Sequence, residues 1–252
     1  MIFDTHAHIN FKAFNKDREK IIKKTLEKGV GMINVGSNLK TSKKAIEIAN
    51  KFDNVYATVG IHPIHIKDDT VLKENEIREL AEEKQVVAMG EIGLDYYKIP
   101  TEKIKEKQKN FLKKQIKIAE KTDLPVVLHC RQAHSEMIDL LSNINIKGVI
   151  HCFSGDWSTA QKYLEFGFYL GFNGIIYKNQ YSKEVIKKIP LSKMLVETDC
   201  PFLLPPEEEG RNEPLNVKYI IKTIAKIKDI KKKEVEKETT KNAQKLFKLP
   251  HH

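Results

Sequence analysis

Histidine and carboxylate side chains follow several short apolar segments of this chain, at the points where strands would end. Imidazole nitrogens and carboxylate oxygens bind divalent metal ions, and both groups also transfer protons in hydrolysis. At the ends of segments such as PVVLH and VVAMGE they would be costly to bury unpaired, and shared metal ions remove that cost. The candidate metal ligands are His6, His8, Glu91, His129, His151 and Asp199.

The His6-Ala7-His8 motif places two histidines two residues apart. Side chains alternate along an extended strand, so both imidazoles leave the same face and can bind one ion. A single histidine is more often a core or surface residue than a ligand, and it is the whole set that favours a metal site. Four histidines and two carboxylates exceed the needs of one tetrahedral zinc site. The set therefore predicts two divalent ions, for which zinc, magnesium and manganese are all candidates.

Short segments rich in Val, Ile and aromatic residues alternate with longer segments of helical period that are rich in Lys and Glu. This alternation is typical of βα units on a parallel sheet, and the 252 residues suffice for a TIM-type (β/α)8 barrel. An open doubly wound sheet is disfavoured because no glycine-rich phosphate loop is present. The predicted strands are Ile2–His6, Gly31–Val35, Val55–Gly60, Val86–Glu91, Pro125–His129, Gly148–His151, Phe168–Leu170 and Met194–Thr198.

The candidate ligands stand at the carboxyl ends of these strands, which is where barrels of this type assemble their active sites. We expect residues 1–250 to form one hydrolase domain. The closing pair His251-His252 is interpreted as a candidate remnant of a purification tag and is left out of the chemistry.

The composition is that of a globular protein with a basic balance. Hydrophobic residues make up 40% and charged residues 31%, and no segment approaches the roughly 18 apolar residues of a membrane span. The N-terminus lacks the basic region of a secretory signal, and the odd number of cysteines, Cys130, Cys152 and Cys200, favours free thiols in a reducing compartment. We therefore expect a cytoplasmic protein. The net charge of +10 favours polyanionic partners, although the lysines that dominate it are typical of solvated helix faces.

Seven motifs, in this order, resemble those of the TatD deoxyribonucleases, metal-dependent hydrolases among the amidohydrolase-like barrels. The resemblance covers nearly the whole chain and implies the same barrel. The motifs are DTHAHIN (Asp4–Asn10), GIHP (Gly60–Pro63), GEIGLDYY (Gly90–Tyr97), LHCR (Leu128–Arg131), HCFSG (His151–Gly155), ETDCPFL (Glu197–Leu203) and RNEP (Arg211–Pro214).

The resemblance also implies how the ligands are divided. One ion would be held by His6, His8 and Asp199, the other by His129 and His151, and Glu91 would bridge the two. The segment GFNGIIYK (Gly171–Lys178) departs from the family pattern, which usually has a threonine where Tyr177 stands. This departure concerns the shape of the substrate pocket.

These observations predict a DNA exonuclease that hydrolyses phosphodiester bonds at single-stranded or frayed ends. Two ions about 3.5–4 Å apart would polarise the phosphoryl oxygen and lower the pKa of water. Asp199 is the predicted catalytic base, and Glu91 is counted with it as a catalytic residue. The candidate substrate contacts are His62, Asp95, Arg131 and Arg211.

Two other functions are compatible with the sequence. The same metals on the same fold could serve hydrolysis of a small-molecule amide or ester, a phosphotriester or an aminoacyl-tRNA. Alternatively, the +10 charge could serve a non-enzymatic nucleic-acid-binding module in which the metals are structural. No helix-turn-helix, zinc finger or basic arm is present to support a reader of double-stranded DNA.

Overall fold

Eight parallel strands form the sheet in a computed structural model that describes residues 1–97 and 101–250. The strands pair in chain order, so the predicted TIM-type (β/α)8 barrel is confirmed. The candidate tag pair His251-His252 lies outside the described residues. The strands are β1 (Ile2–Ala7), β2 (Val30–Val35), β3 (Val55–Val59), β4 (Val86–Asp95), β5 (Val126–Arg131), β6 (Gly148–Ile150), β7 (Tyr169–Phe172) and β8 (Met194–Val196).

Helices connect successive strands, and two more follow β8. Side chains at their amino ends stabilise several of them by accepting hydrogen bonds from backbone N–H groups: Asn38 caps α2, Thr101 caps α4 and Asp156 caps α6. The helices are α1 (Arg18–Glu27), α2 (Leu39–Ala49), α3 (Glu74–Ala81), α4 (Glu102–Lys121), α5 (His134–Leu141), α6 (Trp157–Glu165), α7 (Ser182–Lys188), α8 (Val217–Lys228) and α9 (Lys232–Phe247). Within the described ranges, none of the helices is both long and apolar enough to cross a membrane.

The interior of the barrel is apolar at one end and polar at the other. A buried cluster takes alternate residues from all eight strands, including Val127, Val149 and Leu195, and Phe247 at the end of α9 packs against it. Continuing the same alternation by two residues toward the carboxyl ends leads from Val127 to His129 and from Val149 to His151. The buried apolar side chains thus lie directly beneath the candidate ligands inside the barrel.

Two irregularities in the sheet coincide with candidate ligands. The register of β1 against β2 shifts between Asp4 and Ala7, around His6. The register of β4 against β5 shifts between Met89 and Ile92, around Glu91, and β4 then continues to Asp95, beyond its predicted end. An irregularity of this kind turns a side chain away from the direction that regular strand alternation would give it. The two register shifts therefore help to orient His6 and Glu91.

The barrel closes between β1 and the end of β8 through polar groups. Asp199 N donates to His6 O at 2.8 Å, and His8 N donates to Cys200 O at 2.8 Å. Beneath them, the buried Asp4 carboxyl group accepts from Thr198 N at 2.9 Å and from Thr198 Oγ1. The two ligand-bearing segments at this seam are therefore held in fixed register.

Candidate metal centre

Glu91 lies at the centre of the site and presents each carboxylate oxygen to a different pair of histidines. Oε1 is 3.0 Å from His129 Nδ1 and 3.3 Å from His62 Nε2. Oε2 is 3.4 Å from His6 Nε2 and 3.8 Å from His8 Nε2. Glu91 thus offers one carboxylate oxygen to each pair of histidine nitrogens, and all of these atoms can bind divalent cations.

Asp199 lies on the His6 and His8 side of Glu91. Its Oδ1 is 3.3 Å from His8 Nε2 and 3.8 Å from His6 Nε2, and His151 Nε2 is 3.9 Å away. The structure thus brings together all six side chains that the sequence nominates, from five strands. Three groups have donor atoms within 4.8 Å of one another: His6, His151 and Asp199; His6, His8 and Glu91; and His62, Glu91 and His129.

Hydrogen bonds on the outer nitrogens determine which ring atoms face the centre. His8 Nδ1 lies 3.1 Å from Val35 O, and a carbonyl only accepts, so Nδ1 carries the proton. Likewise His151 Nδ1 donates to Glu197 Oε2 at 2.8 Å. In the neutral rings, Nε2 of His8 and Nε2 of His151 then each carry a lone pair that is directed into the site. Such a fixed tautomer is what a metal-ligating histidine requires.

His62 has the opposite tautomer. Its Nδ1 accepts the backbone N–H of Ile64 at 3.0 Å, so the neutral ring carries its proton on Nε2, which faces Glu91 Oε1. Burial lowers the pKa of His62 to about 4, and the ring is therefore neutral at pH 7. In this state His62 is a hydrogen-bond donor to the centre, although its position would also suit a ligand.

His129 stands between two carboxylates. Its Nδ1 contacts Glu91 Oε1 at 3.0 Å, and its Nε2 contacts Asp95 Oδ2 at 3.2 Å. Asp95 is buried, and its other oxygen accepts from Tyr97 N at 2.9 Å. The Asp95 carboxylate is therefore engaged with His129 and the neighbouring backbone, whereas the sequence nominated it as a substrate contact.

The carboxylates of the site are ionised at neutral pH. Burial would raise the pKa of Glu91, but His62 and His6 hold it well below its usual value. Burial would likewise raise the pKa of Asp199, but the adjacent His8 and the charge of His151 lower it. Two buried anions close together are ordinarily unfavourable, and a divalent cation bound between them would offset that cost.

The histidines divide into two classes. Burial and the neighbouring His151 lower the pKa of His6. Burial also opposes the charged forms of His129 and His151, but carboxylates outweigh it: Asp95 and Glu91 raise the pKa of His129, and Glu197 raises that of His151 to about 10. Without metal, part of the positive charge of the site is therefore carried by imidazolium.

The two candidate arginines lie outside this cluster of ligands. The exposed Arg131 places its guanidinium 3.8 Å from the centroid of the Tyr97 ring, at the end of β5. Arg211 pairs with Asp17 at 2.7 Å and lies 4.1 Å from the centroid of the Phe14 ring. Arg211 thus connects the loop after β8 to the segment before α1.

Glu197 is a site residue to which the sequence analysis gave no role. It is fully buried, and its Oε2 accepts from His151 Nδ1, from Cys152 N at 3.2 Å and from Asn173 Nδ2 at 3.4 Å. Glu197 lies within the predicted strand Met194–Thr198, two residues after the interior Leu195, so strand alternation already indicated that it faces the interior. Gly171 makes room for it, because a Cβ there would stand 2.0 Å from Glu197 Oε1.

The donor set fits divalent metal ions. Imidazole lone pairs and ionised carboxylate oxygens converge in a buried space, and each histidine has a partner or a neighbouring ring that fixes its orientation. All three cysteines are free thiols, and Cys152 Sγ donates to Asn173 Oδ1 at 3.3 Å, outside the three candidate groups. Nitrogen and oxygen ligands of this kind bind zinc, manganese or magnesium.

Comparison with known proteins supports the chemistry of this set. The model of the TatD-related DNase family matches residues 3–248. An uncharacterized metal-dependent hydrolase of Bacillus subtilis, YabD, is 38% identical over 99% of this chain and 100% of its own length. The protein named 3′-5′ ssDNA/RNA exonuclease TatD of Erwinia tasmaniensis is 34% identical over 98% of this chain and 100% of its own length.

A solved structure extends the similarity to the fold. The TatD homologue YJJV of Escherichia coli superimposes with a TM-score of 0.91 at 27% identity, covering 99% of this chain and 98% of that one. The resemblance stated from the seven motifs and the assignment to an enzyme class are both confirmed. From the whole-chain match and the converging histidine and carboxylate donors, we conclude that this chain belongs to the TatD family of metal-dependent hydrolases.

Proposed function

We propose that this hydrolase is a DNA exonuclease that removes nucleotides from single-stranded or frayed ends with the help of two divalent ions. The observation that carries the proposal is the position of Glu91, whose two oxygens face separate pairs of histidines. Two cations held by these residues would suit in-line displacement at a phosphodiester, where charge develops on the attacking and the leaving oxygen. The net charge of +10 and the similarity to the Erwinia protein named as an ssDNA/RNA exonuclease support a nucleic-acid substrate.

The proposed ligands are those nominated from the sequence. His6, His8 and Asp199 lie on the Oε2 side of Glu91, and His129 lies on its Oε1 side. His151 Nε2 is 3.9 Å from both Glu91 Oε1 and Asp199 Oδ1, within reach of either position. When bound, divalent ions supply charge neutralisation at the phosphoryl oxygens and a lower pKa for water.

Asp199 is the proposed general base. Its lowered pKa keeps it ionised, and its side chain remains 15% exposed whereas that of Glu91 is 5% exposed. A proton from the attacking water can therefore reach Asp199 from the open side of the site. The role requires a carboxylate at this position, because an amide cannot accept the proton.

Two further residues receive roles from their hydrogen bonds. His62 presents a neutral Nε2–H to the centre, and we assign it to donate to a phosphoryl oxygen of the substrate. Asp95 holds Nε2 of His129, which orients the ring so that Nδ1 faces Glu91. In this proposal Asp95 acts through His129, and the substrate contact is His62.

The proposed activity is tested with end-labelled single-stranded DNA, matched RNA and blunt duplex, each incubated with metal-loaded protein. We expect stepwise shortening of single strands, with Asp199→Asn slower by about 100-fold or more. The control is Asp69→Asn, the same chemical change at an exposed surface position. Shortening of no nucleic acid, together with turnover of an amide, ester or phosphotriester panel, would reverse the assignment in favour of a small-molecule hydrolase.

The number of ions is tested separately by elemental analysis of purified protein. Glu91→Ala removes both oxygens that face the histidine pairs, so we expect the bound metal to fall from two ions per chain to one or none. Unaltered stoichiometry would remove Glu91 from the site. Reconstitution with zinc, manganese or magnesium in turn identifies the ion that supports cleavage.

A further inference from the structure

An exposed phenylalanine stands at the edge of the candidate metal centre. Phe202 follows the ligand Asp199 by three residues, and 52% of its surface is accessible. Its backbone is fixed on both sides: Phe202 N donates to Asp199 O at 2.9 Å, and Asn212 Nδ2 donates to Phe202 O at 2.6 Å. Asn212 itself is buried. The ring is thus an apolar surface held in place beside the centre.

Two other rings connect Phe202 to the site. His8 stacks on Phe11 with ring centroids 4.4 Å apart and planes 19° apart. Phe202 meets both rings edge-on, with its centroid 6.3 Å from that of Phe11 and 6.3 Å from that of His8. Together His8, Phe11 and Phe202 form an aromatic wall that begins at a candidate ligand and ends in solvent.

The geometry points to a nucleobase as the ligand of this wall. We propose that Phe202 stacks on a base of the nucleotide bound at the centre, an inference that rests on the exonuclease function proposed above. Phe202 N is bonded to Asp199 O, and the Phe202 ring meets the ligand His8 edge-on, so the nucleoside attached to a phosphate beside Asp199 would lie on the side of the centre that Phe202 borders. Stacking on an aromatic face tolerates every base, because each base has a π-face, so this contact would favour base-bearing ends without reading sequence.

A second exposed aromatic ring, Tyr97, differs in this respect. Tyr97, 41% exposed, adjoins Asp95 on the opposite side of Glu91, and the Arg131 guanidinium lies over its face. A guanidinium there can meet a phosphate of the same strand. The stacking contact with a base is therefore assigned to Phe202. The side that bears Arg131 is assigned to the sugar-phosphate backbone of the substrate.

The test compares oligonucleotides with a normal or an abasic terminal nucleotide at each end. For the wild type we expect kcat/KM to be about tenfold or more higher for the base-bearing end, since one base–aromatic stack is typically worth this much. In Phe202→Ala the ratio of kcat/KM between base-bearing and abasic ends should fall to about one, and in Phe202→Trp it should stay as in the wild type. The matched control is Phe202→Leu, which keeps an apolar side chain against Phe11 and His8 but has no aromatic face.

A second readout does not depend on turnover. A terminal 2-aminopurine loses fluorescence on stacking, and we expect this loss on binding to Asp199→Asn but not to the Asp199→Asn, Phe202→Leu double variant. Cleavage by the wild type without a base preference, or a preference that survives in Phe202→Leu, would overturn the stacking role and leave the exonuclease function intact. Absence of cleavage of any oligonucleotide by the wild type would overturn both.

Discussion

Glu197 Oε2 accepts a hydrogen bond from His151 Nδ1 at 2.8 Å, and both side chains are buried. The bond keeps a proton on the outer nitrogen, so that once Nε2 loses its own proton its lone pair is directed toward Glu91 and Asp199. A carboxylate behind a ligating histidine also makes the imidazole a stronger ligand. Glu197 is therefore a positioning residue for the candidate metal centre.

Glu197→Gln should lower metal affinity by about 10–100-fold, because the neutral amide neither fixes the tautomer nor polarises the ring as a carboxylate does. Isothermal titration calorimetry or chelator competition measures the change. The control is Glu209→Gln, an exposed residue in the loop after β8. Equal affinities for the two variants would mean that His151 does not depend on Glu197.

Gly171→Ala should reduce the free energy of unfolding by about 1–3 kcal/mol, since a Cβ at this position would collide with the buried Glu197 carboxylate. Chemical denaturation of the metal-free protein measures the loss. In a Glu197→Ala background the obstacle is gone, and the same substitution should cost much less. If Gly171→Ala instead reduced the free energy of unfolding equally in both backgrounds, the added Cβ would not be colliding with the Glu197 carboxylate.

Metal binding should release protons at pH 7. Burial alone would lower the pKa of His151, but Glu197 outweighs it and raises the pKa to about 10, so a cation at Nε2 must displace a proton. Metal affinity should therefore increase as the pH rises toward about 10. Calorimetry in buffers of different ionisation enthalpy counts the protons, and Glu197→Gln should release fewer. A heat that is independent of the buffer would contradict the prediction.

The same pKa fixes the sign of a stability effect in the metal-free protein. The folded pKa of His151 lies above its ordinary value of 6.5, so its pairing with Glu197 stabilises the fold fully below pH 6.5. This stabilisation is lost as the pH rises through about 10. Denaturation midpoints measured across this range without metal should fall more steeply for the wild type than for Glu197→Gln.

Arg211→Ala should lower the free energy of unfolding by about 0.5–1 kcal/mol, because its pair with Asp17 is partly exposed and its contact with Phe14 is an ordinary cation–π interaction. Adding Asp17→Ala should cost little more. If Arg211 instead binds substrate, as its motif predicted, kcat/KM for DNA ends should fall while the stability stays unchanged. Denaturation and cleavage of the same variants separate the two roles.

Much of the fold could be predicted because its signals are local. The alternation of short apolar segments with segments of helical period is a property of neighbouring positions, so all eight strands were found. The prediction failed at the end of β4, which runs to Asp95 rather than Glu91. Residues Ile92–Asp95 of β4 continue the strand because they pair with β5 beyond the register shift. This pairing joins segments that are distant along the chain.

The sequence by itself determined the ligand types and their places at strand ends, since parallel strands bring their carboxyl ends to one side of a barrel. Only the tertiary structure decided how the outer nitrogens are bonded: Ile64 N gives His62 a donor tautomer, Glu197 directs His151, and Asp95 faces His129 rather than solvent. Glu197 and Asp95 lie 46 and 34 residues from their histidines, separations that no local periodicity reports, and only the local partner Ile64 lies two residues from His62. Residue types set which atoms can bind a cation, and the packing of the barrel sets which of them point at it.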